Sequence, residues 1–271
     1  MSNSIKVAFI LVMVVYCLSI TAYAQAPSEA LPQMNANSVV VRVMSSGGFY
    51  TALEELAPIY ERNTGNKIVL ISGSSMGSSP TAIPTRLRRG EEADIIIMAG
   101  TELDKLIKDG LAVSGSRVDL VLSKIGMVVR AGEAKPDIST TAAFIQTLLA
   151  AKSIGYSASA SGTYLSKELF PRLGIYEQIK DKSKMIVKDR VATWVARGDL
   201  EIGFQQVSEL LPIPGVDFVG TLPDEIQQVT VFSAGIAAGS QQVAEGEKLI
   251  QFFLSPEARP IIIKQGLEPA Q

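Results

Sequence analysis

The sequence contains no histidine among its 271 residues, and this absence removes several kinds of chemistry. Ser-His-Asp and Cys-His catalysis both need an imidazole base, and most protein zinc sites use imidazole or thiolate ligands. The single cysteine, Cys17, lies in the N-terminal apolar run. The sequence therefore predicts neither a catalytic triad nor a zinc site, and we expect no metal and no cofactor.

A surplus of charge of one sign is also missing. The chain has 25 basic and 27 acidic residues, which gives a net charge of −2. Proteins that bind nucleic acid usually carry a marked basic surplus, because they neutralise phosphates. Neither a Walker phosphate loop nor a dinucleotide-binding glycine motif occurs after a predicted strand. We expect no nucleic-acid partner and no nucleotide.

The N-terminus has the order of a secretory signal peptide. Lys6 precedes an apolar run over residues 7–20, and the small residues Ala22 and Ala24 follow it. The run is shorter than the roughly 20 residues that a membrane-spanning helix needs. We predict a signal peptide over residues 1–24, a leader over 25–37 and a periplasmic protein. An uncleaved membrane anchor is the alternative.

From residue 38 onwards, strand and helix patterns alternate. Residues 39–44, 68–71 and 93–98 are β-branched apolar runs, and a helical pattern follows each of them. For the first run, the pattern predicts a turn over 45–48 and a helix from Ala52. Repeated strand–loop–helix units indicate an α/β fold in which the sheets are mainly parallel and flanked by helices.

Three loops between a strand and a helix are rich in serine and glycine: 45–48, 72–79 and 157–163. Free N–H groups at a helix start attract anions, and hydroxyls add hydrogen bonds. Ordinary helix capping is the alternative for each loop. From these loops we predict as ligand-binding residues Ser45, Ser46, Gly47, Ser72, Ser74, Ser75, Ser159, Ser161, Gly162 and Thr163.

Arginines near these loops provide a second kind of anion contact. Arg86 and Arg190 are predicted to bind the ligand, because a guanidinium pairs bidentately with a carboxylate. Gln205, at the end of a predicted strand, completes the predicted site. The alternative for each arginine is an exposed helix face, where most charged side chains lie.

Four segments together carry a family resemblance: residues 86–95, 155–174, 195–204 and 252–258. With the serine loops, they resemble the molybdate-binding periplasmic proteins of ABC importers, which are type II solute-binding proteins. The resemblance implies two α/β lobes that clamp a ligand between them. It places lobe 1 at residues 38–122 and 229–271, and lobe 2 at residues 123–228.

The resemblance also implies a ligand shell. In molybdate binders, hydroxyls of the first two loops and backbone N–H groups of the second lobe hold a tetrahedral oxyanion, and a tyrosine completes the set. Phe204 stands at that tyrosine position here. The chain therefore resembles a divergent branch, whose ligand is either a molybdate-like oxyanion or an organic di- or tricarboxylate.

The function expected from the sequence is binding without chemistry. We expect a monomer that captures a small anion and delivers it to an ABC permease in the inner membrane, with a hinge closure on binding. A sensor module for a membrane receptor is an alternative with the same fold. A serine hydrolase is disfavoured because no histidine is present to act as the base.

Overall fold

The computed structural model describes residues 38–271. The predicted signal peptide and leader lie outside the described residues. Within the described part, no helix has the length and apolar character needed to cross a membrane.

Eleven strands in the described residues form two sheets. The strands are β1 Val40–Ser46, β2 Lys67–Gly73, β3 Ile95–Ala99, β4 Val118–Ser123, β5 Ile125–Arg130, β6 Ile154–Ser157, β7 Ser183–Ile186, β8 Ile202–Gln206, β9 Val216–Thr221, β10 Thr230–Ile236 and β11 Glu268–Pro269. Sheet A has the order β11-β4-β10-β3-β1-β2, and sheet B has the order β7-β6-β8-β5-β9.

Helices flank both sheets. They are α1 Gly47–Thr64, α2 Ile83–Arg88, α3 Gly100–Lys108, α4 Thr141–Ala150, α5 Ala160–Tyr164, α6 Phe170–Arg172, α7 Tyr176–Ile179, α8 Val191–Ala196, α9 Val207–Leu210, α10 Val243–Phe253 and α11 Arg259–Lys264. A π-helical turn, Leu165–Leu169, joins α5 to α6.

The predicted α/β class is confirmed, and within it each sheet is mixed. Strand β1 runs parallel to β2 and β3, and β6 runs parallel to β7 and β8. Strand β10 is antiparallel to β3 and β4, and β5 is antiparallel to β8 and β9. Both β5 and β10 are entered from the other sheet. They lack the helical crossover that makes consecutive strands of one sheet parallel.

The first helix starts earlier than predicted. Ser45 and Ser46 end β1, and α1 follows directly at Gly47, so there is no separate turn over 45–48. Ser46 keeps an extended backbone with φ −80° and ψ 159°, which allows the helix to begin at the next residue. A side chain on Gly48 would overlap the ring of Phe232, so this close packing of α1 requires glycine.

The strand register brings the serine loops together. Ser46 at the end of β1 is opposite Gly73 at the end of β2. In sheet B, Tyr156 of β6 is opposite Phe204 of β8, so their following loops also leave from one edge. Ligands of α/β proteins bind outside the carboxyl ends of strands. The topology therefore places the predicted loops where a ligand would be bound.

Gly162 is required for the shape of the loop after β6. A β-carbon at this position would overlap the carbonyl oxygen of Ser157 and lie 2.7 Å from its carbon. We expect Gly162→Ala to destabilise the protein by about 2 kcal/mol and to lower Tm by about 4–8 °C. Gly239→Ala is the control, because its β-carbon would meet nothing within 4 Å. Equal Tm values for the two variants would contradict this.

Candidate functional site

A cavity of about 310 Å³ lies between loops of sheet A and loops of sheet B. Sheet A contributes residues from the start of α1 and from the loop after β2, and sheet B contributes the segments after β6, β7 and β8. The lining residues are Gly47, Tyr50, Ser72, Gly73, Ser74, Thr81, Ser157, Ala158, Ser159, Ile186, Val187, Lys188, Asp189, Arg190, Gln205 and Glu209.

A buried carboxyl group, that of Glu209, forms one wall of this cavity. Glu209 is the third residue of the short helix α9, which follows β8 directly. The side-chain amide of Gln205 donates a hydrogen bond to Oε1 of Glu209 at 2.7 Å. The backbone N–H of Val191 donates to the Gln205 oxygen at 2.8 Å, which fixes the orientation of that amide. The carboxyl group is therefore held in place by two successive hydrogen bonds.

The pKa of Glu209 is suited to proton transfer. Burial raises it from the ordinary 4.5 to about 7, because the ionised form loses its hydration. The charge of Arg190 and hydrogen bonds from Gln205 and the backbone of Gln206 oppose this shift. Near neutral pH, this carboxyl group therefore exists in both protonation states, as a general base or acid requires.

Arg190 comes from the sheet B side of the cavity, and its guanidinium extends to helix α1 on the sheet A side. Its Nη2 donates to Oγ1 of Thr51 on α1 at 3.1 Å. Arg190 directly precedes α8, and its side chain keeps further N–H donors. Burial and the charge of Glu54 raise the pKa of the nearby Tyr50, so this phenol stays protonated at neutral pH. The cavity thus combines the cationic side chains of Arg190 and Lys188 with hydroxyl groups and the carboxyl group of Glu209.

The N-terminus of α1 holds a polar atom that lacks a protein partner. Oγ of Ser46 is buried and makes no hydrogen bond within the described structure. Buried polar groups are normally hydrogen-bonded, and this hydroxyl is an exception one residue before Gly47, which lines the cavity. Ser46 caps an 18-residue helix, whose first N–H groups also attract negative charge.

The predicted site residues divide into two groups. Six of them line the cavity: Gly47, Ser72, Ser74, Ser159, Arg190 and Gln205. The others support the loops or lie elsewhere, namely Ser45, Ser46, Ser75, Arg86, Ser161, Gly162 and Thr163. Among these, Ser45 donates to the Ser46 carbonyl, Ser161 contacts the Ser157 hydroxyl at 3.1 Å, and Thr163 contacts the sulfur of Met76.

Arg86 lies outside the cavity. Its guanidinium pairs with Glu91 and donates to the carbonyl of Thr81 at 3.3 Å. These contacts join Arg86 of α2 to residues just before and just after the helix. The sequence placed Arg86 and Arg190 in the same class, and the structure brings only Arg190 to the cavity.

Sequence reasoning missed Glu209 and Tyr50. Glu209 is the one charged residue in an otherwise uncharged stretch over 207–211, directly after a strand, and that isolation was the available signal.

Phe204, which stands at the tyrosine position of the molybdate binders, is fully buried and packs edge-on against Phe144 at 5.7 Å. Its neighbour Gln205 faces the cavity, since successive strand residues point to opposite sides.

The loop after β2 also has the spacing of a hydrolase nucleophile turn. Residues 73–77 match the G-x-S-x-G pattern, with Ser75 at its centre. Ser75 is buried, and its hydroxyl accepts a hydrogen bond from the N–H of Ala99 at 3.0 Å. No histidine exists to activate it, so Ser75 supports the loop.

A wider surface cleft of about 480 Å³ lies on the outer side of sheet B. Arg130 and Glu133 form an ion pair there at 2.9 Å, and Glu201 accepts a hydrogen bond from the backbone N–H of Lys152 at 2.6 Å. The lining of this cleft includes none of the predicted site residues. The described residues contain no cluster of three or more acidic side chains placed to hold a metal ion.

Comparison with known proteins gives the family. The model of the bacterial extracellular solute-binding protein family matches residues 41–268. The molybdate-binding protein ModA of Azotobacter vinelandii is 24% identical over 243 residues, covering 85% of this chain and 90% of that protein. The solved structure of the Azotobacter vinelandii periplasmic molybdate-binding protein matches with a TM-score of 0.68 and 21% identity, over 85% of this chain and all of its own. The predicted resemblance and the type II fold are confirmed.

A further relative corrects the functional expectation. A protein of a Pseudomonas species that is named aconitate isomerase is 46% identical over 227 residues, which is 84% of this chain and 87% of the relative. The expectation that the chain is not an enzyme is therefore wrong. It rested on the lack of histidine, and a proton transfer by one carboxyl group does not need an imidazole. On its sequence and fold, the chain belongs to the bacterial extracellular solute-binding protein family.

Proposed function

We propose that this protein isomerises an unsaturated tricarboxylate of the aconitate type, with Glu209 as the base. The observation that carries the proposal is the buried carboxyl group of Glu209, whose pKa is raised to about 7 beside a cavity that also contains Arg190. The relative named aconitate isomerase supports the choice of substrate.

The reaction needs only one group that accepts and returns a proton. Aconitate contains a CH2 group, a double bond and three carboxylates. Ionised Glu209 takes a proton from the CH2 carbon, and the electron pair of that C–H bond spreads over the double bond and the adjoining carboxylate. Protonated Glu209 then returns the proton to the far carbon of the same three-carbon unit. The double bond has moved by one position, and its geometry can change.

The cavity also supplies groups that stabilise the negative charge of the substrate. Arg190 pairs with one carboxylate of the substrate, and its contact with Thr51 fixes the direction of the guanidinium. The first N–H groups of α1, a helix that begins at the cavity-lining Gly47, bind a second carboxylate. Fixed donors of this kind lower the energy of the delocalised anion that forms during the reaction.

The family suggests how the cleft opens. We propose that the lobes are those predicted from the sequence, residues 38–122 with 229–271 and residues 123–228, and that they close on the substrate. The predicted signal peptide and periplasmic location belong to the same proposal. Closure excludes water from the cavity, which strengthens its electrostatic interactions.

A second candidate function is capture of a small anion for an importer. Membership of the extracellular solute-binding family favours it. The ligand would be a carboxylate or a molybdate-like oxyanion, and the partner an ABC permease. The two candidates differ in one measurable respect, because a carrier binds about one equivalent of ligand and returns it unchanged.

The catalytic role of Glu209 is testable with the purified protein. We expect the protein to convert trans-aconitate to cis-aconitate over multiple turnovers, which proton NMR can measure. Glu209→Gln should lower kcat by about 10²–10⁴. The rate should rise with pH and level off above about 7, where the base is ionised. Full activity of the variant would exclude Glu209 as the base, and stoichiometric binding without turnover would favour the carrier.

Arg190 is testable by a change that keeps its charge. Arg190→Lys retains a cation and loses the bidentate geometry, so we expect KM for trans-aconitate to rise about tenfold or more. Arg86→Lys is the matched control, because Arg86 is also half-buried and lies outside the cavity. Similar KM values for both variants would remove Arg190 from the substrate site.

The raised pKa of Glu209 also predicts how stability depends on pH. Glu209 binds its proton more tightly in the folded protein than in the unfolded chain. The stabilisation that comes from this difference is fully present below pH 4.5 and is lost as the pH rises to about 7. Glu209→Gln removes this loss. Urea unfolding should show that the variant gains about 3 kcal/mol over the wild type between pH 4.5 and pH 8. A stability difference that is independent of pH would contradict the assignment.

A further inference from the structure

The glycine at position 47 makes room for the Glu209 carboxyl group. Gly47 is the first residue of α1, and a β-carbon on it would overlap Oε1 of Glu209 and lie 2.8 Å from Cδ. The backbone at Gly47 does not need glycine, because its φ lies outside the left-handed region. Alanine would also favour the helix by helix propensity. The need for glycine at position 47 therefore comes from the carboxyl group of Glu209 on helix α9.

A second contact fixes α9 against the first turn of α1. The hydroxyl of Ser208 donates to the backbone carbonyl of Gly48 at 2.8 Å, and both residues are buried. Ser208 precedes Glu209 in the same helical turn. The side chain of Glu209 is thus held from one side by the Gln205 amide and from the other by the surface of α1.

We infer that Gly47 is a positioning residue for the isomerisation. Its missing side chain lets α1 close over Glu209 and sets the place and the dehydration of the carboxyl group. This role rests on the proposed function of Glu209 as the base. Gly47 acts through Glu209 and supplies no proton itself.

The variant Gly47→Ala tests this role. The added methyl group displaces the carboxyl group, and a displacement of about 1 Å lowers a rate by about 100-fold. We expect kcat for trans-aconitate to fall about 100-fold, while the Kd of the substrate, measured by titration calorimetry, changes less than about threefold. The midpoint of the pH–rate profile should move below that of the wild type, since the displaced carboxyl group meets more water. Gly239→Ala should keep the wild-type kcat and pH profile, because its β-carbon meets nothing within 4 Å.

A shorter acid should compensate for the added methyl group. Glu209→Asp withdraws the carboxyl group by one CH2, so it should lower kcat in the wild-type background. In the Gly47→Ala background, the same change should raise kcat at least about tenfold, because the two side chains then share the space. This rescue distinguishes a steric role from a loss of folding. Losses that multiply in the double variant would overturn the inference.

The outcomes separate this inference from the proposed function. If Glu209→Gln is inactive and Gly47→Ala keeps its kcat, Gly47 has no positioning role and Glu209 remains the base. If Gly47→Ala loses affinity and rate in equal proportion, its role is structural, and the inference is again wrong. If Glu209→Gln keeps full activity, Glu209 is not the base, and the inference about Gly47 fails together with that assignment.

Discussion

The burial of one carboxyl group between two sheets is the constraint on which the site depends. An ionised carboxylate without water costs several kcal/mol unless other groups compensate. Here the compensation comes from the Gln205 amide, which the Val191 N–H orients, and from the charge of Arg190. These groups do not cancel the cost, and the remainder appears as a pKa near 7. The uncompensated cost of burying Glu209 lowers the stability of the fold, and the same cost brings its pKa into the range that the proposed proton transfer needs.

This constraint explains how a binding fold can hold a catalytic site. A solute-binding cleft gains affinity by removing water from an anion, and removal of water also raises the pKa of any carboxyl group at the cleft wall. In the proposed function, a single glutamate on the short helix α9, facing Gly47 at the start of α1, adds proton transfer to such a cleft. The architecture does not decide between carrier and enzyme, and the two proposals differ in the role that they give to the side chains at the cleft.

The fold could be predicted largely from the sequence, because β-branched runs alternate with helical patterns and serine loops mark the strand ends. The mixed character of the sheets could not, since β5 and β10 look like the other strands and their direction depends on which sheet they join. Part of the lining of the candidate cavity could also be predicted. Gln205 and Arg190 line the cavity, and Arg86 has similar local surroundings in the sequence but lies elsewhere.

Glu209 shows why the rest of the site was missed. In the sequence it is one acidic residue in a short stretch between a strand and a proline-rich turn, which is also the pattern of an exposed loop. Its burial depends on α1, which is more than 140 residues earlier in the chain. Only the tertiary fold brings Gly47 against its carboxyl group. The lack of histidine suggested a protein without chemistry, yet a carboxyl group reaches the pKa range of histidine once the fold removes its water. Under the proposed role, the pH range in which Glu209 is ionised and can act as the base is therefore also the range in which its burial lowers the stability of the fold most.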